Sequence, residues 1–312
     1  MITLREASQK YLELRRNLGF QLRGSRSALR SFVVFAERES ASSITADLAL
    51  RWAKEPADAQ PATWASRLRM VRRFAIWLKS ADPRTEVPPL GLLPHRYRRQ
   101  RPYIYSDAEI NRLIQAASEL PSARGLKGCT YSTIFGLLSV TGMRVNEALS
   151  LDRGDVDLVE GIIRIRRTKF GKSRLAPVHE STRQSLTAYT RKRDKAVRGP
   201  AQAAFFLSER GTRVTEWAVR YNFAKVSRKI GLRPPGRSHG HGPRLHDMRH
   251  RFAARTLVDW YRAGIDVERE LPKLATYLGH VHVNDTYWYI EAVPELLALA
   301  TQRLESRREV KP

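Results

Sequence analysis

The chain is poor in cysteine, in long apolar runs and in acidic residues. Cysteine occurs once in 312 residues, at Cys129. A single thiol excludes an internal disulfide, a cysteine-built zinc knuckle and an iron–sulfur cluster. Within the apolar run GCTYSTIFGLL it is expected to be buried and inert. No uncharged apolar stretch approaches the ~18 residues that a membrane-spanning helix needs. The N-terminal MITLREASQKY carries charges where a secretory signal would need an apolar core. Neither membrane insertion nor secretion is expected, and the chain reads as cytoplasmic. Acidic residues number 31 against 56 Lys and Arg, a formal net charge of +25. A surplus of this size opposes compaction unless a polyanion offsets it, with nucleic acid the leading partner and an anionic membrane surface second.

Several catalytic signatures are missing too. Gly171-Lys172-Ser173 fails as a phosphate-binding loop, because the required first glycine would fall at 166, which is Arg. There is no H-E-x-x-H and no G-x-S-x-G. Asp155 and Asp157 form a D-x-D, but too few other carboxylates lie nearby in sequence for a two-metal site. They are expected to be a structural pair at a strand edge.

The composition that remains, 42% hydrophobic and 28% charged, is globular, and the length suits about two domains. The fold class expected is mainly α. Apolar residues at three- and four-residue steps predict helices over Leu4–Leu18, Ser25–Glu39, Thr45–Lys54 and Thr63–Lys79. These make a small, basic four-helix bundle over residues 1–82. Residues 83–104 carry Pro83, Pro88, Pro89, Pro94 and Pro102, which forbid continuous helix. They also carry the basic run from His95 to Arg101, so this stretch is expected to be a linker that touches phosphates. Residues 105–312 open on a capping box, Ser106 with Glu109, and stay helical to Leu149. Alternation over 161–167, a turn at 168–173 and a return strand over 174–178 predict a small antiparallel sheet. Helices resume at Glu180.

The chemistry-bearing groups of this second part are cations, imidazoles and a tyrosine. In T-G-M-R-V-N-E-A-L, Arg144 follows a glycine turn at the start of a helix, a place suited to presenting a cation and backbone amides to phosphate. In T-K-F-G-K-S-R, Lys169 sits in the turn between strands. In L-H-D-M-R-H-R-F-A, His246 and Arg249 are three apart and share a helix face. In Y-L-G-H, His280 follows a glycine, and Tyr289 lies nine residues on. Taken singly, each has an ordinary reading: a surface arginine, a solvated lysine, structural histidines, a core tyrosine.

In this order and spacing they resemble the tyrosine recombinases, the phage-integrase and Xer-like group, over residues 105–295. The resemblance implies a core-binding bundle followed by a catalytic domain. It also implies an enzyme that cleaves and rejoins DNA through a 3′-phosphotyrosine, with neither metal nor ATP. Arg144 matches the first catalytic arginine, Lys169 the hairpin lysine, His246 and Arg249 the H-x-x-R pair, His280 the last His position and Tyr289 the nucleophile. Glu147 fits an acidic residue that buttresses the first arginine. The implied partners are double-stranded DNA recombination sites, a homo-tetramer on paired sites, and accessory recombination proteins that the sequence does not disclose. The run from Thr286 into the C-terminal tail looks like integrases of transposons and other mobile elements.

Several alternatives stay open at this point. Lys172 competes with Lys169, and Tyr287 with Tyr289. His239 and His241, with His246 and His250, invite a metal reading, although a flexible loop is expected there. Arg251 stands where the family commonly has Thr or Ser, and an added phosphate contact or a solvent-exposed side chain is expected of it. The apolar tail from Val293 to Leu304 packs either within its own chain or on a neighbour. Rival functions are a type IB topoisomerase-like enzyme or telomere resolvase with the same chemistry, a catalytically silent DNA-binding regulator, and a metal-dependent nuclease.

Overall fold

The first helix starts where the sequence supplies both halves of a cap. The Thr3 hydroxyl accepts from the Glu6 amide (3.2 Å) and the Glu6 carboxylate accepts from the Thr3 amide (2.9 Å). In the computed structural model, residues 2–20, 22–94, 101–166, 173–197, 203–235 and 242–309 are described. The chain divides into two compact units, residues 1–100 and 101–312.

The first unit holds α1 (Leu4–Asn17), α2 (Arg23–Arg38), α3 (Ala46–Lys54) and α4 (Pro61–Leu78). Each follows one predicted helix closely. Their apolar faces meet around Trp52, Phe32, Ile44, Val71 and Phe74, all fully buried. Phe32 meets Trp52 edge-on at 5.4 Å, and the Trp52 indole N–H donates to the Ser31 hydroxyl (3.3 Å), so the polar end of a buried indole is satisfied. Part of the expected linker also packs here. Thr85 and Leu93 are buried, the Glu86 amide donates to the Ile44 carbonyl (2.7 Å), and the Glu86 carboxylate accepts from the Ala46 amide at the start of α3 (2.8 Å). Residues 95–100, most of the basic run, lie outside the described residues.

The second unit is built on α5 (Asp107–Ser118), α6 (Leu126–Thr141), α7 (Val145–Leu149), α8 (Glu180–Ala196), α9 (Glu216–Lys229), α10 (Asp247–Arg262), α11 (Val267–Leu278), α12 (Asn284–Ala292) and α13 (Pro294–Glu309). Helix α6 is apolar on most sides and is therefore central, packed against α5, α8 and α10. Cys129 on it is half-buried rather than fully buried, packed against the edge of the core cluster of this unit. The expected sheet is present, with one more strand than predicted: β1 (Val156–Asp157), β2 (Ile162–Ile165) and β3 (Arg174–Pro177) form an antiparallel meander in that order. Ile163 pairs with Ala176, and Ile163 and Ile165 point into the core while Arg164 points out. The D-x-D pair is structural. Asp155 accepts from the Asp152 amide (3.0 Å) and pairs with Arg166 (2.5 Å), and Asp157 caps the amides of Val159 (2.9 Å) and Glu160 (3.0 Å).

The last four helices close the unit. α13 packs on α10 and α12 of its own chain, with Leu296 fully buried. No helix among the described residues is long and apolar enough to cross a membrane.

One glycine matters to this architecture. Gly142 ends α6 at φ +60°, and a β-carbon there would sit 2.7 Å from the Phe252 ring and 3.1 Å from Leu278. Both the left-handed backbone and the close approach demand glycine. Gly142→Ala is expected to destabilise the protein by about 1–3 kcal/mol, read as a lower urea midpoint; an unchanged midpoint would contradict this packing.

Candidate active site

Gly142 turns the chain so that Arg144 caps α7. Glu147, one helical turn on, accepts from the Arg144 amide (3.0 Å) and from its Nη1 (2.8 Å). A second arginine reaches the same carboxylate from the sheet: Arg174, the first residue of β3, donates to it through Nη1 (3.1 Å) and Nη2 (2.7 Å). Glu147 is only 7% exposed. Burial alone would push its pKa up, but hydrogen bonds and charge from Arg174, then Arg144, outweigh that and hold it below the ordinary 4.5.

Helix α10 supplies the next groups. His246 precedes its first residue, and Arg249 and His250 follow on the same face. The Arg249 guanidinium is 2% exposed. It donates to the Gly142 carbonyl through Nη1 (2.7 Å) and to the Leu278 carbonyl through Nη2 (2.6 Å). Arg144 donates through Nη2 to the Gly279 carbonyl (3.1 Å). The two guanidiniums thus hold adjacent carbonyls of the turn that ends α11. Gly279, at φ +68°, allows that turn, since a β-carbon there would lie 2.9 Å from Arg174 Nη1.

The turn presents His280, whose Nδ1 lies 2.7 Å from the hydroxyl of the fully buried Thr286 on α12. Tyr289, one turn further along α12, is 1% exposed. Its ring lies nearly parallel to that of His280 at 6.4 Å, and its hydroxyl is 3.0 Å from His250 Nδ1. Tyr287 is 44% exposed. Two residues apart on a helix point in different directions, so Tyr289 is the one that faces this cluster.

Burial, and then the charges of Arg249 and Arg144, push the His246 pKa down to about 4, so its imidazole is neutral at pH 7. Burial, then the charge of Arg144, brings Arg249 down to about 10, which leaves it cationic at neutral pH.

Five of the six expected residues, Arg144, His246, Arg249, His280 and Tyr289, therefore lie within one cluster around the α6–α7 and α11–α12 turns. The sixth, Lys169, lies outside the described residues, as does its competitor Lys172. His239 and His241 also lie outside them. The expectation for Arg251 is corrected. It is buried (8% exposed), donates through Nε to the Tyr105 carbonyl (2.9 Å) and pairs with Asp107, an aspartate that also holds Arg255. Its place on α10 turns it away from the Arg249 face and toward the start of α5. Sequence reasoning missed Arg174 and His250. Arg174 reads as an ordinary strand-end arginine, and His250 enters the sequence reading only through the metal alternative.

The sequence and the fold have known counterparts. The sequence pattern of the phage integrase family matches residues 104–295. The chain belongs to the phage integrase family. It is 49% identical, over 99% of both chains, to the Sinorhizobium fredii protein y4rB, described as an integrase/recombinase. It is 29% identical over 74% of its length, and 72% of the relative's, to the tyrosine recombinase XerD of Neisseria meningitidis serogroup B. Among solved structures, the Tn1549 transposon integrase in complex with transposon right end DNA matches with a TM-score of 0.66 at 16% identity, covering 96% of this chain and 98% of the other. The chain is accordingly a tyrosine recombinase, with the mainly helical fold and small antiparallel sheet of that family.

Glu147 offers a test of the cluster's electrostatics. Glu147→Gln leaves two arginines without their shared counter-charge, and breaking such a buried pair costs about 3–5 kcal/mol. A carboxylate whose folded pKa is depressed stabilises fully above its unfolded pKa and loses that contribution as pH falls through the folded value. The stability gap between wild type and variant, from urea titrations, is expected to be flat from neutral pH downward and to narrow below the ordinary value of 4.5. A gap that widens on acidification would contradict the assignment.

Proposed function

We propose that this recombinase cuts and rejoins double-stranded DNA at its recombination sites through a 3′-phosphotyrosine on Tyr289, using neither metal nor ATP. The observation that carries the reading is the meeting of two arginines on the Leu278–Gly279 turn, beside His280 and Tyr289.

Attack on a phosphodiester concentrates negative charge on its non-bridging oxygens. Arg144 and Arg249 bind those oxygens, and guanidinium geometry suits two-point contact. Each such donor is worth about 2.7–4 kcal/mol in the transition state. His280 donates to the same oxygens. Tyr289 attacks phosphorus, and the covalent intermediate divides one difficult step into two easier ones. The phosphotyrosine keeps the energy of the broken bond, so rejoining draws on no nucleotide. Lys169 protonates the leaving 5′-oxygen. His246, neutral at pH 7, positions groups about the tyrosine as an uncharged donor or acceptor.

The N-terminal helical unit acts as the core-binding domain, and each unit contacts duplex DNA. Two strand exchanges require four protomers, so a homo-tetramer on paired sites is the working assembly, in the cytoplasm with the nucleoid. The net charge of +25 makes binding steeply salt-dependent through counterion release.

Two variants test this. Tyr289→Phe is expected to bind DNA like wild type and to form no covalent adduct on a nicked duplex carrying the site, as read by mass spectrometry. An adduct on that variant would remove Tyr289 from the role. Arg249→Lys keeps the charge but loses the two-point geometry, and its cleavage rate is expected to fall about 100-fold or more.

A further inference from the structure

We infer that His250 is a further catalytic residue, the group that takes the proton from Tyr289 as it attacks. The inference rests on the phosphotyrosine reading above. His250 Nδ1 lies 3.0 Å from the Tyr289 hydroxyl, within the reach that a general base needs. His246, to which resemblance alone would give a role at this proton, meets the His250 ring edge-on at 4.8 Å; His250 thus links it to the tyrosine.

Burial makes a protein acceptor necessary. Tyr289 is 1% exposed and His250 6%, so bulk water does not bathe this oxygen, and an isolated buried phenolate would be costly. The His250 ring is held for the task. It packs at 5.5 Å against both Trp288 and Tyr289, and the rigid helix that carries Arg249 carries it. His246, Arg249 and His250 fall at the i, i+3 and i+4 positions of one helical face. A single turn of α10 thereby addresses both the phosphate and the nucleophile.

The step balances as follows. The Tyr289 oxygen forms its bond to phosphorus while the bond from phosphorus to the 5′-oxygen breaks. The phenol proton passes to Nδ1 of a His250 whose resting proton is on Nε2, and the 5′-oxygen departs with a proton from the general acid, Lys169. On rejoining, His250 returns the proton to the departing phenol.

The test compares His250→Phe, which keeps a packed ring without Nδ1, with His250→Asn, which sets an amide near the Nδ1 position. Single-turnover cleavage of a nicked duplex is measured, with DNA binding followed by gel shift. His250→Phe is expected to bind normally and cleave about 100-fold or more slowly, the scale of general-base catalysis. His250→Asn, whose amide can hydrogen-bond the phenol but cannot take its proton, is expected to stay slow as well. Replacing Tyr289 by 3-fluorotyrosine, a more acidic phenol that leans less on a base, is expected to shrink the His250→Phe deficit. Wild-type cleavage by His250→Phe overturns the inference. So does a deficit that asparagine abolishes or that fluorotyrosine fails to relieve, which would mean hydrogen bonding or packing alone. If His250→Phe does not fold, the asparagine variant and its response to fluorotyrosine decide alone. Failure of the wild-type chain itself to form an adduct would instead sink the phosphotyrosine reading beneath it.

Discussion

The catalytic unit is organised by one buried guanidinium. Arg249 leaves water almost completely, a position that is expensive for a charge unless the protein replaces its hydration. The replacement comes from two backbone carbonyls, those of Gly142 after α6 and Leu278 at the end of α11. Carbonyls at helix C-termini lack partners within their helices and lie at the negative end of the helix dipole. The arginine thus completes two helix ends and is stabilised by both. Because the acceptors are dipoles and not full charges, they do not cancel the guanidinium's charge toward an incoming anion. Arg174 and Arg144 share one carboxylate, Glu147, so two guanidiniums pair with a single acid while Arg249 pairs with none among the described residues. The site stays cationic for the same reason that it stays folded.

What could be read beforehand follows from which forces act locally. The helices of both units were legible because apolar residues recur at helical spacing and because the cap of Ser106 with Glu109 marks the start of α5. The hairpin of β2 and β3 was legible from strict alternation, whereas two-residue β1 is too short to show any. The order of Arg144, His246, Arg249, His280 and Tyr289 was legible through resemblance. Nothing local in those segments shows that they would meet, since the contacts that join them span most of the unit.

The failures have a common cause. Arg251 was expected to meet phosphate or solvent, yet it is buried against Tyr105 and Asp107, a partner set far away in sequence. Arg174 looked like one more cation in a basic chain until β3 brought it to Glu147. The stretch from Thr85 to Leu93 reads as linker by its prolines, yet it packs on the first unit, because proline forbids helix without forbidding burial. In each case a side chain's local chemistry was right and its tertiary partner was invisible.

The placement of Tyr289, the proposed nucleophile, carries the same lesson further. Helix α12 is nine residues long, a length at which a helix is marginal without tertiary packing. Tyr289 is therefore aimed less by its own helix than by what grips it. The His280 ring holds Thr286 at one turn, the His250 ring meets the Tyr289 hydroxyl at the next, and α13 closes over α12 from behind. Two of those grips come from the α11–α12 turn, whose carbonyls hold Arg144 and Arg249, and from α10, which carries Arg249. The distance from the Tyr289 hydroxyl to the cations is then set by contacts within one cluster, so the proposed nucleophile and the charges proposed to stabilise its transition state are positioned by the same few bonds.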